Sequence, residues 1–175
     1  MSEAGEFQII EQFFTYPSFG AWKSQGVGDD CAIIDTGAGR LAVTCDMTAL
    51  GTHFFPDADP EDVGYKALAV NLSDLAAAGA VPRAFFLSIG LPRRDDGWLA
   101  DFSRGLMALA HESGCALLGG DTTRTPEIDG RHAPATISIT AMGDLPAGMG
   151  LTRSGAQPGD DIWVSGTVGD AYAAL

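Results

Sequence analysis

The chain has 175 residues, 46% apolar and 19% charged, with 10 Lys plus Arg against 23 Asp plus Glu and a net charge of −13. This is one domain's worth of chain with room for a fragment of a second, and it holds enough apolar material for a sizeable core. The charge excludes a basic nucleic-acid face, because nothing would neutralise the phosphates, and no run of about 18 apolar residues is present to cross a membrane.

Residues 6–15 (EFQIIEQFFT) predict a short amphipathic helix. Residues 31–35 and 41–46 are β-rich runs around TGAGR, a hairpin signal. Residues 47–58 are mixed in character and read as a loop. Asp59-Pro60-Glu61-Asp62 predicts a helix start: a capping Asp, Pro at the first position, acids in the first turn. That helix runs to about Ala78, with Gly79 as its stop. Residues 83–91 read as a strand, and 95–113 as a second long helix ended by Gly114. Residues 115–118 are a buried strand opening into GGDTTR, and 133–144 form an alternating strand. Residues 145–160 are rich in Gly, Pro and Ser and resemble a linker; 161–164 read as a strand, and 169–175 begin a helix with no stop. Strands and long helices intermixed indicate an α/β or α+β domain, a mixed sheet flanked by two long helices. The expected division is a domain over 1–147, then a linker and the start of an incomplete second α/β domain over 148–175.

The acids are uneven, 17 Asp against 6 Glu. Asp suits turns and caps and is a short, stiff oxygen ligand. Four stand out: Asp30, entering a strand after Gly26-Val27-Gly28-Asp29; Asp46, at a strand end; Asp74, inside the first long helix; and Asp121, after a strand and two glycines. Asp74 shares a face with Asn71 on a helix that is apolar from Ala67 to Ala78, with no nearby Lys or Arg in sequence. An unpaired buried carboxylate is costly, so a bound cation is the economical partner. Carboxylates in these settings suit Mg²⁺; alternatively each is only a turn or cap residue. No G-x-x-x-x-G-K-[ST] loop occurs, and the lysines are Lys23 and Lys66 alone. Arg124 and Arg153 read as lying in loops rich in Gly, Ser and Thr, where a guanidinium can reach a phosphate or simply be solvated. SGTVGD (165–170) precedes a predicted helix but is a weak anion signal, since Asp170 opposes it. Cys31, Cys45 and Cys115 form no C-x-x-C pair, so reduced thiols in a cytoplasmic protein are expected. The acidic MSEAGEFQII start lacks the basic region of a signal peptide.

Taken in order, VGDDCAII, TCDM with GTHF, YKALAVNLSDLAAAGAVP, LLGGDTTR and LTRSGAQPGDDIWVSGTVGD resemble the thiamine-monophosphate kinase family. That family belongs to the ATP-binding superfamily of aminoimidazole ribonucleotide synthetase and selenophosphate synthetase. The resemblance implies an N-terminal domain whose sheet pairs with that of a second copy in a homodimeric β-barrel. It implies ATP-dependent phosphorylation of thiamine monophosphate to thiamine diphosphate, with several Mg²⁺ ions. Carried over by position, metal ligands fall on Asp30, Thr44, Cys45, Asp46, Asp74 and Asp121, ATP contacts on Gly120, Asp121 and Arg153, and the substrate contact on His53. Cys45 and Met47 stand where the family usually has Thr, and residues 125–133 lengthen the loop after GGDTTR. The acceptor would be a phosphate oxygen, already anionic at neutral pH because its second pKa is about 6, so no catalytic base is expected. The alternatives are another ATP-dependent synthetase of the superfamily, or a non-catalytic dimerisation and metal–nucleotide module.

Overall fold

The computed structural model of the chain describes residues 24–25, 29–148, 150–164 and 166–169. The predicted helix at 6–15, and the one beginning at 169 beyond its first residue, lie outside them. Six strands form one sheet in the order β1-β2-β3-β8-β4-β5: β1 (Ser24–Gln25), β2 (Ala32–Asp35), β3 (Arg40–Ala49), β8 (Thr136–Leu145), β4 (Val81–Leu91) and β5 (Ala116–Arg124). Neighbours are antiparallel except β4 and β5, which run parallel and are joined by a helix. The two helices are α1 (Pro60–Ala77) and α2 (Asp96–Ser113), and a small hairpin, β6 (Glu127–Ile128) with β7 (Arg131–His132), occupies the long loop after β5.

Both helices begin as their sequences dictate. Asp59 Oδ1 accepts from the Glu61 N–H at 3.0 Å, and Asp95 Oδ1 from the Trp98 N–H at 3.1 Å, each using a donor that the first turn leaves without an intrahelical partner. Both end at a glycine with positive φ, Gly79 at 75° and Gly114 at 66°, a conformation that a side chain disfavours. The helices pack against each other through two other glycines. A Cβ on Gly64 would stand 2.0 Å from the Phe102 carbonyl oxygen, and one on Gly105 would stand 1.8 Å from that of Glu61. Only a hydrogen at these positions lets the backbones approach this closely.

The helix pair covers one face of the sheet. Ile33, Ala42, Phe85, Ile89, Ile137, Ile139 and Ala141 from the strands meet Leu68 and Leu75 of α1 and Phe102 and Leu106 of α2. Along β8 the pattern alternates strictly through Gly143, with the odd-numbered residues buried beneath the helices. The other face is left open. It carries Cys45, Met47, Phe86, Ser138 and Thr140, with Met47 57% exposed.

Three segments differ from the sequence-based expectation. GGDTTR belongs to β5, which continues to Arg124, so Arg124 ends a strand and does not sit in a loop. The glycines of that run have φ of 158° and 150°, and a Cβ on Gly120 would stand 1.7 Å from the Leu87 carbonyl oxygen, so glycine is what lets β5 lie this close to β4. The first three residues of the expected loop at 47–58 extend β3, paired with Thr136 to Ser138. Residues 161–164 carry the β-branched and aromatic signal of a strand, yet they are irregular and exposed, with Ile162 at 95% and Trp163 at 88%. Strand propensity reflects packing on a neighbour, and these residues have no described strand beside them.

Candidate metal and phosphate site

The end of the β2–β3 hairpin meets the second half of α1, and this junction gathers the acids. Thr44 and Asp46 are two apart on β3 and point toward α1, where Asn71 and Asp74 share a face. The Thr44 hydroxyl donates to Asp74 Oδ2 at 2.7 Å. The Asp46 backbone N–H donates to Asn71 Oδ1 at 3.2 Å, and Asn71 Nδ2 donates to the Ala67 carbonyl at 3.0 Å, which fixes the amide's orientation. Asn71 is thus a buried strut tying strand to helix. From the entry to β2, the Cys31 thiol donates to the Asp74 backbone carbonyl at 3.2 Å.

The segment after β8 returns to the same place. The Leu151 N–H donates to the Ala78 carbonyl at 3.0 Å, just past the end of α1. Two residues on, the Arg153 N–H donates to Asp29 Oδ1 at 2.9 Å and its guanidinium pairs with the Asp30 carboxylate. The sequence offered no cationic partner for Asp74. The structure corrects this: Thr44 bonds it directly, and Arg153, far along the chain, stabilises its charge.

The electrostatics show how close these groups stand. Burial raises the pKa of Asp74, the Thr44 hydroxyl lowers it, Asp46 and Asp30 raise it, and Arg153 lowers it. Burial, followed by the charges of Asp74, Asp30 and Asp29, pushes the Cys31 thiol up to about 11. The Arg153 guanidinium is held protonated chiefly by its hydrogen bond to Asp30. Asp30, Asp46 and Asp74 therefore repel one another across a half-exposed junction, with one arginine as counter-charge. Their carboxylates and the Thr44 hydroxyl are hard oxygen donors of the kind Mg²⁺ takes. Among the described residues no three His, Cys, Asp or Glu side chains already form a metal-binding group, and the Asp30 carboxylate is engaged by Arg153.

The remaining sequence-derived candidates lie elsewhere. Cys45 alternates with Thr44 and so faces the open side of the sheet, where Thr140 Oγ1 donates to its sulfur at 3.4 Å and Ser138 Oγ lies 3.6 Å away; its thiol is turned from Asp74. Gly120 and Asp121 lie on edge strand β5, in register with Leu87 and Ser88, and β8 and β4 separate them from β3. One chain therefore does not bring them to the acid cluster. His53 sits in the turn after β3. Its Nδ1 accepts from the Ala49 N–H at 3.0 Å, which leaves Nε2 as the protonated nitrogen of the neutral ring. Lys66 Nζ donates to the His53 carbonyl at 2.7 Å, and both line a cleft of about 290 Å³ with Phe54, Phe55 and Asp62.

Residues 28–145 match the family model described as AIR synthase related protein, N-terminal domain. The thiamine-monophosphate kinase of Salmonella typhimurium strain LT2 is 44% identical over 173 residues, an alignment covering 98% of this chain and 51% of that protein. The chain thus spans about half the length of the curated relatives it matches. Among solved structures, AaThiL complexed with AMPPCP and TMP superposes with a TM-score of 0.75 at 31% identity, covering 83% of this chain and 45% of that one. The thiamine-monophosphate kinase from Stenotrophomonas maltophilia K279a gives a TM-score of 0.71 at 46% identity, covering 86% and 45%.

Proposed function

Since the chain belongs to the AIR synthase related family through its N-terminal domain, we propose that it is the metal- and nucleotide-handling part of a kinase that converts thiamine monophosphate to thiamine diphosphate with ATP. The observation that carries this reading is the convergence of Asp30, Asp46 and Asp74 on Thr44 and Arg153, in a chain similar to thiamine-monophosphate kinases. In the transfer, a phosphate oxygen of thiamine monophosphate forms a bond to the γ-phosphorus, the bond from that phosphorus to the β-bridging oxygen breaks, and ADP leaves. The acceptor oxygen is already anionic, so no residue has to remove a proton. Mg²⁺ held by Asp30, Asp46, Asp74 and Thr44 would supply the positive charge that lets two polyanions meet.

The chain's own residues have three tasks. Arg153, now paired with Asp30, would turn to a phosphate, which would free the Asp30 carboxylate to hold the ion. Asn71 holds Asp46 and α1 at fixed separation. His53 presents its Nε2–H to the substrate. We place further contacts at Gly120, Asp121 and the Cys45 backbone carbonyl. Asp121 stands apart from the cluster within one chain, and the open face of the sheet is uncovered, which supports a homodimer joined through the sheets. We read residues 1–147 as the dimerisation and ATP/Mg²⁺ domain and 148–175 as the lead into a second α/β domain, in a cytoplasmic protein whose thiols stay reduced.

Calorimetry with a non-hydrolysable ATP analogue tests the metal-bridged site: binding should require Mg²⁺ and vanish in EDTA. Equal affinity under both conditions would overturn it. In the whole protein, thiamine monophosphate should saturate ATP turnover while aminoimidazole precursors and selenide should not.

A further inference from the structure

The turn that carries His53 is thinly backed. Residues 50–56 leave the end of β3 and separate two cavities. On one side lies the cleft of about 290 Å³ that His53 and Lys66 border. On the other is a cavity of about 200 Å³, bordered by Phe54, Phe55 and Pro56 of the turn together with Leu91 and Trp98. Close packing fixes a segment through its neighbours, and a segment with open space on either side loses much of that restraint. Hydrogen bonds have to supply the rest. The Gly51 N–H donates to the Phe54 carbonyl and the His53 N–H to the Ala49 carbonyl, each at 2.9 Å, but these close the turn on itself and on its own strand. The Leu50 N–H reaches the Ala135 carbonyl at 3.0 Å. Among the described residues one hydrogen bond joins the turn to α1: Lys66 Nζ donates to the His53 carbonyl at 2.7 Å.

Lys66 has an ordinary partner close by and does not take it. Asp62 stands four residues earlier on α1, the spacing and order at which a carboxylate and a lysine pair on a helix, and it borders the same cleft. Among the described residues Lys66 nevertheless forms no ion pair with Asp62, and its ammonium goes to the backbone of the turn. A charged donor makes a stronger hydrogen bond than a neutral one. It falls on the residue whose ring is already oriented, since His53 Nδ1 accepts from the Ala49 N–H at 3.0 Å. The His53 backbone is thus clamped from α1 and its ring from β3, which leaves Nε2–H for a ligand in the cleft.

We propose that Lys66 is a positioning residue: its ammonium locks the 50–56 turn against α1, so that His53 presents Nε2–H to the substrate. This rests on the kinase reading above, in which His53 is the substrate contact. On that reading transfer takes place at the acid cluster, where Lys66 makes no hydrogen bond or ion pair. Loss of the ammonium therefore weakens substrate capture and leaves the transfer step intact. A merely structural lysine would do the reverse, lowering stability and leaving KM alone.

The test compares Lys66→Met, which keeps the stem and removes the charge, with Lys66→Arg, which keeps a charged donor. In the whole protein Lys66→Met should raise KM for thiamine monophosphate about tenfold, with kcat and KM for ATP unchanged. Lys66→Arg should restore most of the loss. The melting temperature should move by no more than about 1–2 °C, because the side chain is exposed. Nitrogen-15 NMR of the imidazole at about pH 8, where histidine is neutral, reads the clamp without any turnover. The unmodified chain should show His53 as a single tautomer with Nδ1 unprotonated, and Lys66→Met should show the two nitrogens averaging. An unchanged nitrogen pattern, an unchanged KM, a fall in kcat alone, or no rescue by Lys66→Arg would overturn the proposal. If the unmodified whole protein shows no turnover that depends on thiamine monophosphate, the kinase reading fails, and the nitrogen pattern still decides whether Lys66 holds His53.

Discussion

Replacing Thr44 by Val keeps the side chain's shape at a buried position and deletes the hydroxyl that donates to Asp74 at 2.7 Å. A hydrogen bond to an ionised carboxylate contributes about 1.5–3 kcal/mol. Asp74 is only partly buried and water screens it, so a loss of about 1–1.5 kcal/mol is expected. For a chain of 175 residues this lowers the melting temperature by about 2–5 °C. The effect carries a pH signature. Burial and the neighbouring acids place the folded-state pKa of Asp74 above its unfolded value, so ionising Asp74 destabilises the fold at neutral pH, and that cost disappears as pH falls below the unfolded value. Thr44 acts in the opposite sense, favouring the ionised form. Thr44→Val therefore raises the pKa further and enlarges the cost wherever Asp74 is charged. Urea unfolding of both proteins at about pH 7.5 and about pH 3.5 should show the larger difference at the higher pH. Equal destabilisation at both, or none at either, would refute the assigned role of the hydroxyl.

Asp74→Asn should raise the melting temperature in EDTA, because one of three repelling charges is removed while the amide oxygen still accepts from Thr44; on the proposed kinase function, in the whole protein it should lower kcat on the order of 100-fold. A lower melting temperature together with normal turnover would remove Asp74 from the site. Gly105→Ala places a methyl group 1.8 Å from the Glu61 carbonyl oxygen and must force the helices apart, at a cost of roughly 1–3 kcal/mol or more, read as a lower urea midpoint. An unchanged midpoint would mean that the helices do not cross there. Cys31 and Cys115 should stay unreactive toward a thiol reagent at about pH 8 because both are buried and burial raises the pKa of each, whereas Cys45, on the open face, should react quickly in a monomer and be shielded where two sheets join. Mass spectrometry of the labelled peptide decides it.

The local elements were legible in the sequence wherever the signal was local. Asp59-Pro60 opens α1, Asp95 opens α2, and Gly79 and Gly114 close them, because caps depend on a residue and its immediate neighbours. GGDTTR looks like the end of a strand because paired glycines usually break one; here the glycines are what allow β5 to continue against β4, since a Cβ on Gly120 would stand 1.7 Å from the Leu87 carbonyl oxygen. Of the candidate site, the acids were visible as residue types, and the shared face of Asn71 and Asp74 followed from helical spacing. The contacts that organise them were not. Asp30 and Arg153 are 123 residues apart, and nothing in either segment announces the other. The face to which Cys45 turns depends on the phase of β3 relative to α1, which a run without clean alternation did not reveal.

The place of β8 has a consequence for how the chain acquires its fold. β8 is the last of the sheet's strands in the sequence, yet it lies between β3 and β4, bonded to both. β3 and β4 run in the same direction and do not touch each other along the sheet, so neither has its central partner until residues 136–145 arrive. A nascent chain that has emerged only as far as β5 holds two separate pieces, a β2–β3 hairpin and a β4–α2–β5 unit. α1 links them, with the seats for Ile137, Ile139 and Ala141 still empty. Such non-local closure is slow, and it leaves strand edges and apolar surface exposed while it waits. The closing strand is therefore the step on which cooperative folding turns, and a ribosome pausing before residue 145 has cleared its exit tunnel would hold the domain open.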